Sequence, residues 1–251
     1  MLRFLGRGSA FNEEQNCAFF VEKGRLVLLD CAMSGFHAVR RAGLQGLAET
    51  GRASVGGNAG EADGINEIVV LVTHTHGDHI GGIPMLIHYA YYVFKVPVTV
   101  VVPSEELKED LRYACDRLDG CDPQGYRLIT VDEAKGEYTW LKCAILTEHS
   151  PQLAGRCFGY KLEIDGKNVV FTGDTNTLEP FVPYLTKGSV LYTEVSYFDS
   201  PVHLHIDKLA EYNGLFKENE IEVFLMHLDD ENALSKKAEG YGFTLAPLYD
   251  K

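Results

Sequence analysis

Residues Thr73-His74-Thr75-His76-Gly77-Asp78-His79-Ile80-Gly81-Gly82 place three histidines and an aspartate within six positions, directly after an apolar run ending at Val72. With nine His among 251 residues, random placement gives a His-x-His-x-Asp-His run in roughly one such chain in a thousand. The run therefore has a use. Alternate residues leaving a strand end point the same way, so His74 and His76 can share one metal ion while Asp78 and His79, on the following turn, address a second.

The elements that must position these side chains are short and apolar. β-rich runs recur at 25–29, 67–72, 98–102, 141–147, 160–164, 168–172, 190–193 and 221–226, and helical patterns fall between some of them, at 84–94, 104–118 and 207–216. The runs 160–164 and 168–172, joined through Asp165-Gly166-Lys167, predict an antiparallel hairpin, while other strands need helical crossovers. A mixed α/β layered protein follows, with no repeat and no linker, hence a single domain over 1–251. Glu49 to Gly64 holds five glycines and neither period; it is expected to be a flexible loop, either a surface insertion or a lid. The segment 85–94 is apolar nearly all round, with Tyr89, Tyr91, Tyr92 and Phe94 beside Met85, Leu86 and Ile87. It must be covered on more than one side, by the rest of the chain or by a second copy in a homodimer.

Composition narrows the partners. A formal charge of −13 gives no general support for gripping a long phosphate backbone, so no long nucleic acid is expected. Six cysteines without a Cys-x-x-Cys pair suit reduced thiols in a cytoplasm better than a secreted disulfide scaffold. Met1 to Ala10 lacks the apolar core of a signal peptide. The most membrane-like stretch, Ile83 to Val102, is broken by Pro84, His88, Lys95 and Pro97 and reads as a buried helix followed by a buried strand, so no membrane partner is expected.

The histidine run resembles the signature of the metallo-β-lactamase superfamily, and other stations of that superfamily follow in order. The resemblance implies that His149 completes the ligands of the first metal with His74 and His76. It also implies that His227 joins Asp78 and His79 on the second, and that Asp174, in Gly173-Asp174-Thr175, bridges both. The implied fold is α/β, an αββα metallo-β-lactamase sandwich. Within the superfamily, Phe4-Leu5-Gly6-Arg7-Gly8-Ser9-Ala10-Phe11 is similar to the opening of the ribonuclease Z branch, with Arg7 where Thr is usual. Asp30-Cys31-Ala32 and Phe158-Gly159-Tyr160 continue the match. Glu194, before His203-Leu204-His205, resembles that branch's Glu followed by a His-containing turn.

The branch cleaves phosphodiesters, which needs a nucleophilic hydroxide, a clamp on the phosphoryl oxygens and a proton for the leaving alkoxide. Asp78 is expected to orient the nucleophile. His205 is the expected general acid, with Glu194 holding its ring and His203 close enough to compete. His37 and His88 are read as structural. Transfer-RNA enzymes of the short single-domain form carry a projecting arm between the third histidine ligand and the bridging aspartate. Here that interval is 24 residues, too short for an arm. A small nucleotide substrate is implied, as in the armless cyclic-nucleotide phosphodiesterases of anti-Pycsar type, which the length and opening also resemble. Phe11, Tyr160, Tyr197 and Phe198 are candidate base-stacking partners. The alternatives are a ribonuclease Z-like endoribonuclease acting on RNA 3′ ends and a catalytically silent binding module. His and carboxylate donors without thiolate suit two divalent ions, zinc first, manganese or iron next.

Overall fold

The computed structural model describes residues 1–52 and 64–249. Its backbone contacts divide the chain into two compact units, one of residues 1–6, 14–134 and 247–251, the other of 7–13 and 135–246.

The first unit is built on a six-stranded sheet in the order β1-β2-β3-β4-β5-β6, formed by Arg3–Gly6, Cys17–Glu22, Arg25–Leu29, Glu67–Leu71, Val98–Val102 and Tyr126–Thr130. β1 to β3 pair antiparallel, and β3 to β6 pair parallel. The inner parallel strands are continuous runs of Val, Leu and Ile because both faces are covered; every residue of β5 is buried. The unit's helices are α1 (Met33–Arg52), α2 (Gly77–Ile80), α3 (Ile83–Tyr89) and α4 (Glu105–Arg112); α1 packs against β1 to β3 and α4 against β5 and β6. Ser104 caps α4, its hydroxyl accepting from the Leu107 amide at 3.4 Å, with Glu105 and Glu106 in the first turn. Two wider π turns extend α3 through Ala90–Phe94 and α4 through Tyr113–Leu118.

The second unit carries the other sheet, order β12-β11-β10-β9-β8-β7: β7 Leu141–Thr147, β8 Cys157–Ile164, β9 Lys167–Phe171, β10 Val190–Glu194, β11 Glu222–Met226 and β12 Thr244–Leu245. β7 to β9 form an antiparallel meander and β9 to β12 run parallel. The turn between β8 and β9 has Asp165 at φ 54° and Gly166 at φ 73°, the paired left-handed conformation that an Asp-Gly turn makes accessible. α5 (Ile206–Ala210), α6 (Asn213–Glu218) and α7 (Glu231–Tyr241) follow. Leu209, Phe216, Leu234 and Ala238 from them pack with Val170, Leu191, Val223 and Leu225 of the sheet.

Three expectations change. Glu49 to Arg52 end α1 rather than opening a loop; the rest of the expected loop, 53–63, lies outside the described residues. The helix expected over 207–216 is two, α5 and α6, interrupted at Glu211 and Tyr212. The 85–94 segment is a helix as expected, but Met85, Tyr92 and Val93 stay exposed within the chain. The strands β1, β2, β6 and β12 were not marked by the apolar runs. No helix among the described residues is long and apolar enough to cross a membrane.

Candidate active site

In the first unit the histidine run leaves the carboxyl end of β4 and turns into α2. It is strapped to the 30–32 turn by two backbone bonds, Cys31 amide to His79 carbonyl at 2.7 Å and Gly82 amide to Cys31 carbonyl at 2.9 Å. The approach is so close that a Cβ on Gly82 would lie 2.2 Å from the Ala32 carbonyl oxygen, so only glycine fits. His74 and His79 are fully buried.

Asp30, in the left-handed region at φ 60° and fully buried, anchors the whole run. Its Oδ1 accepts from the Thr73 amide at 2.8 Å, and its Oδ2 accepts from the Thr73 hydroxyl and faces His79 Nδ1, both at 2.8 Å. Because the Thr73 hydroxyl gives its proton to Asp30, it can only accept from His74 Nδ1, 3.0 Å away. Both imidazoles thereby carry hydrogen on Nδ1 and turn Nε2 forward, the tautomer a metal ligand needs. His74 Nε2 lies 2.9 Å from His76 Nδ1, and His79 Nε2 lies 3.3 Å from Asp78 Oδ2.

The second unit converges in the same manner. His149 follows β7, Asp174 follows β9, Glu194 ends β10 and His227 follows β11, so all four sit at carboxyl ends of strands, where α/β sheets place ligand sites. Asp174 Oδ2 is 3.7 Å from His149 Nε2 and 3.4 Å from His227 Nε2. His149 Nδ1 donates to the Val202 carbonyl at 2.7 Å, which again presents Nε2. His227 takes φ 52°, a strained left-handed conformation of the kind concentrated at functional sites. The segment after it is held by the chain's opening residues: Ser9 amide donates to Leu228 carbonyl and Leu228 amide to Arg7 carbonyl. Arg7, the departure from the resembled motif, clamps Glu231 through Nε and Nη2 and donates to the Ala246 carbonyl.

The expected Glu194–His205 pair does not form. Glu194 Oε2 faces His203 Nδ1 at 2.7 Å, while His205 Nε2 donates to the Tyr197 carbonyl at 3.0 Å and its Nδ1 accepts from the Asp207 amide, capping α5. The cause is register. Ser196 pairs parallel with His205, so Glu194, two residues earlier, stands opposite His203, and a two-residue step along a strand is about 6.6 Å. Burial disfavours a charged His203, but the hydrogen bond and charge of Glu194, with Asp174 behind it, outweigh that and raise its pKa. Its ring lies between His149 and His227, at centroid distances of 5.0 and 5.5 Å. Among the expected stacking residues, Tyr160 is fully buried in the core and unavailable; Phe11, Tyr197 and Phe198 are exposed. The sequence marks Asp30 only as part of a turn and keeps His203 as the competitor of His205; the anchoring of the histidine run by Asp30 carries no signal in the spacing.

Imidazole and carboxylate donors, buried and without thiolate, fit divalent metal ions, and the two sheets with their helices have the metallo-β-lactamase fold. A diphosphatase of the PhnP family aligns at TM-score 0.69 with 15% identity, covering 98% of this chain and 94% of that one. The short form of human tRNase Z aligns at 0.62 with 16% identity, covering 99% and 97%. Fold and donor set together define a metal-dependent hydrolase.

The family model of the anti-Pycsar protein Apyc1 matches residues 1–245. An anti-Pycsar protein Apyc1 of Bacillus phage BSP38 is 30% identical, covering 91% of this chain and 89% of its own length. The chain belongs to this family of cyclic-nucleotide-degrading enzymes.

Proposed function

We propose that the chain hydrolyses the 3′,5′-phosphodiester of a cyclic pyrimidine mononucleotide in the cytoplasm, as a homodimer. In this reading His74, His76 and His149 would hold one zinc ion and Asp78, His79 and His227 a second, with Asp174 a ligand shared by the two sets. When bound, such a pair supplies a hydroxide nucleophile at neutral pH and neutralises charge on the phosphoryl oxygens. Asp78 orients the nucleophile. His203 gives the Nε2 proton to the departing ribose oxygen, and Glu194 fixes its ring by accepting from Nδ1, service worth about 10² to 10⁴ in rate. His203 replaces His205 in this role because both ring nitrogens of His205 are engaged by backbone.

The observation that carries the substrate class is the interval between His149 and Asp174. It consists of one short turn, Pro151–Leu153, and the β8–β9 hairpin, with no arm to hold a transfer RNA. A cyclic monophosphate carries one charge, which two metals offset without a basic surface, in keeping with a net −13. The test is hydrolysis of cyclic CMP, cyclic UMP, cyclic AMP, cyclic GMP and a precursor tRNA by one metal-analysed sample. Turnover of a pyrimidine cyclic mononucleotide is expected, and rapid tRNA processing with inert cyclic mononucleotides would overturn the reading.

A further inference from the structure

A second group of side chains able to hold a metal ion, His88, Asp119 and Cys121, lies within the first unit, on residues that the proposed reaction does not use. His88 sits in the last turn of α3. The π turn after α4 carries Cys115, and Asp119 and Gly120 reverse the chain, Gly120 at φ 67°. The reversal lets the Cys121 amide donate to the Cys115 carbonyl at 2.9 Å and puts Cys121 Sγ 3.9 Å from the Pro84 carbonyl oxygen at the start of α3. One carboxylate oxygen of Asp119 is 3.1 Å from His88 Nε2, and Cys121 Sγ is 3.9 Å from the same nitrogen.

Convergence on one nitrogen decides between the readings of this cluster. A Cys-His-Asp catalytic relay needs the thiol and the carboxylate on opposite ring nitrogens, so that the carboxylate orients the ring while the other nitrogen takes the thiol proton. Here both address Nε2, and the relay is excluded. A tetrahedral zinc ion with ordinary bond lengths holds its nitrogen and oxygen ligands about 3.3 Å apart and its nitrogen and sulfur ligands about 3.6 Å apart. The observed separations depart from these by only a few tenths of an ångström. Access also fits: the His88 and Asp119 side chains are partly exposed while Cys121 is buried, giving an ion an open side to enter and a dry side to bind.

We propose that His88, Asp119 and Cys121, whose ligand atoms lie within 4.8 Å of one another, form a zinc site that ties the end of α3 to the turn following α4. Its thiolate sets it apart from the histidine and carboxylate ligands of the proposed catalytic metals, and that difference supplies the readout. Protein loaded with cobalt(II) under reducing conditions is expected to show a thiolate-to-cobalt charge-transfer absorption in the near ultraviolet. Cys121→Ser should abolish the band and lower bound zinc by one ion per chain, with cyclic-nucleotide hydrolysis unchanged. Asp119→Asn, at an exposed position that tolerates the change, should keep the band but weaken cobalt binding about tenfold or more. Absence of the band in the unaltered protein, or its survival in Cys121→Ser, would overturn the proposal. Should Cys121→Ser fail to fold, zinc analysis of the unaltered protein decides: one ion per chain beyond the two proposed for catalysis is expected, and no ion beyond those two refutes the site.

Discussion

At the scale of single residues, the proton donor and the second layer behind the histidines make the strongest demands. His203→Ala is expected to retain metal and KM while lowering kcat about 10² to 10⁴-fold, since proton donation stabilises only the transition state. The loss should shrink on a nitrophenyl phosphodiester, whose leaving group needs little protonation; His205→Ala should leave kcat on both substrates far less changed. Steady-state kinetics with metal analysis check this, and the reverse ranking of the two variants would return the role to His205. Asp30→Asn tests the layer behind. The amide nitrogen in place of Oδ2 no longer accepts from the Thr73 hydroxyl and His79 Nδ1, so metal affinity should fall about 10 to 100-fold, read by competition with a chelator. The difference in legibility has a physical root. The histidine run was readable because metal geometry constrains which residue types stand at which spacing. His203 was not separated from His205 because the pairing of 203–206 with the residues after β10 is set by tertiary register.

At the scale of elements, buried parallel strands were the most legible part of the chain. β3 and β5 have the bounds that their apolar runs predict, since strands covered on both faces are almost wholly apolar; β7 matches its run too, although it is an antiparallel edge strand. β6 was not, being half exposed and mixed in polarity, nor was β12, only two residues long. α1 carries Gly43 at φ 68° inside it, which breaks the helical period. One element-level contact is testable by pH. The Arg7 guanidinium, hydrogen-bonded to Glu231, holds that carboxyl below its ordinary value. A depressed carboxylate pKa contributes stability above the unfolded value near 4.3 and loses it as pH falls through the lower folded value. Glu231 is nearly half exposed, so solvent screening limits the contribution. Denaturant melts of Glu231→Gln should show a deficit of about 0.5 to 1 kcal/mol at pH 7, closing as pH drops below about 4. A deficit that persists unchanged at pH 3 would mean lost packing instead of lost charge.

For the whole molecule, the open matter is what covers the helix after the histidine run. Within one chain α3 buries Ile83, Leu86 and Ile87, while Met85 is 39% exposed, Tyr92 60% and Val93 55%. Large apolar groups clustered on a soluble surface usually mark a contact. The stretch 83–94 holds no Asp, Glu, Lys or Arg that would oppose a second copy, whereas the chain at −13 would repel itself wherever acidic faces met. A two-fold pairing through this helix places each copy's Tyr92 and Val93 on the other and hides the patch from water. The expected outcome is a light-scattering mass of twice the 27.9 kDa chain at micromolar concentration. Tyr92→Glu with Val93→Glu should return it to a single chain, because two carboxylates per copy cannot be desolvated there without partners. Cyclic-nucleotide turnover per chain in that variant separates the roles of the pairing. Retained kcat would make dimerisation a matter of stability alone, and loss of kcat with retained metal would mean that the pairing positions the catalytic residues. A mass of 27.9 kDa for the unaltered protein at that concentration removes the dimer altogether, and the exposed Tyr92 and Val93 then belong to a monomer's surface.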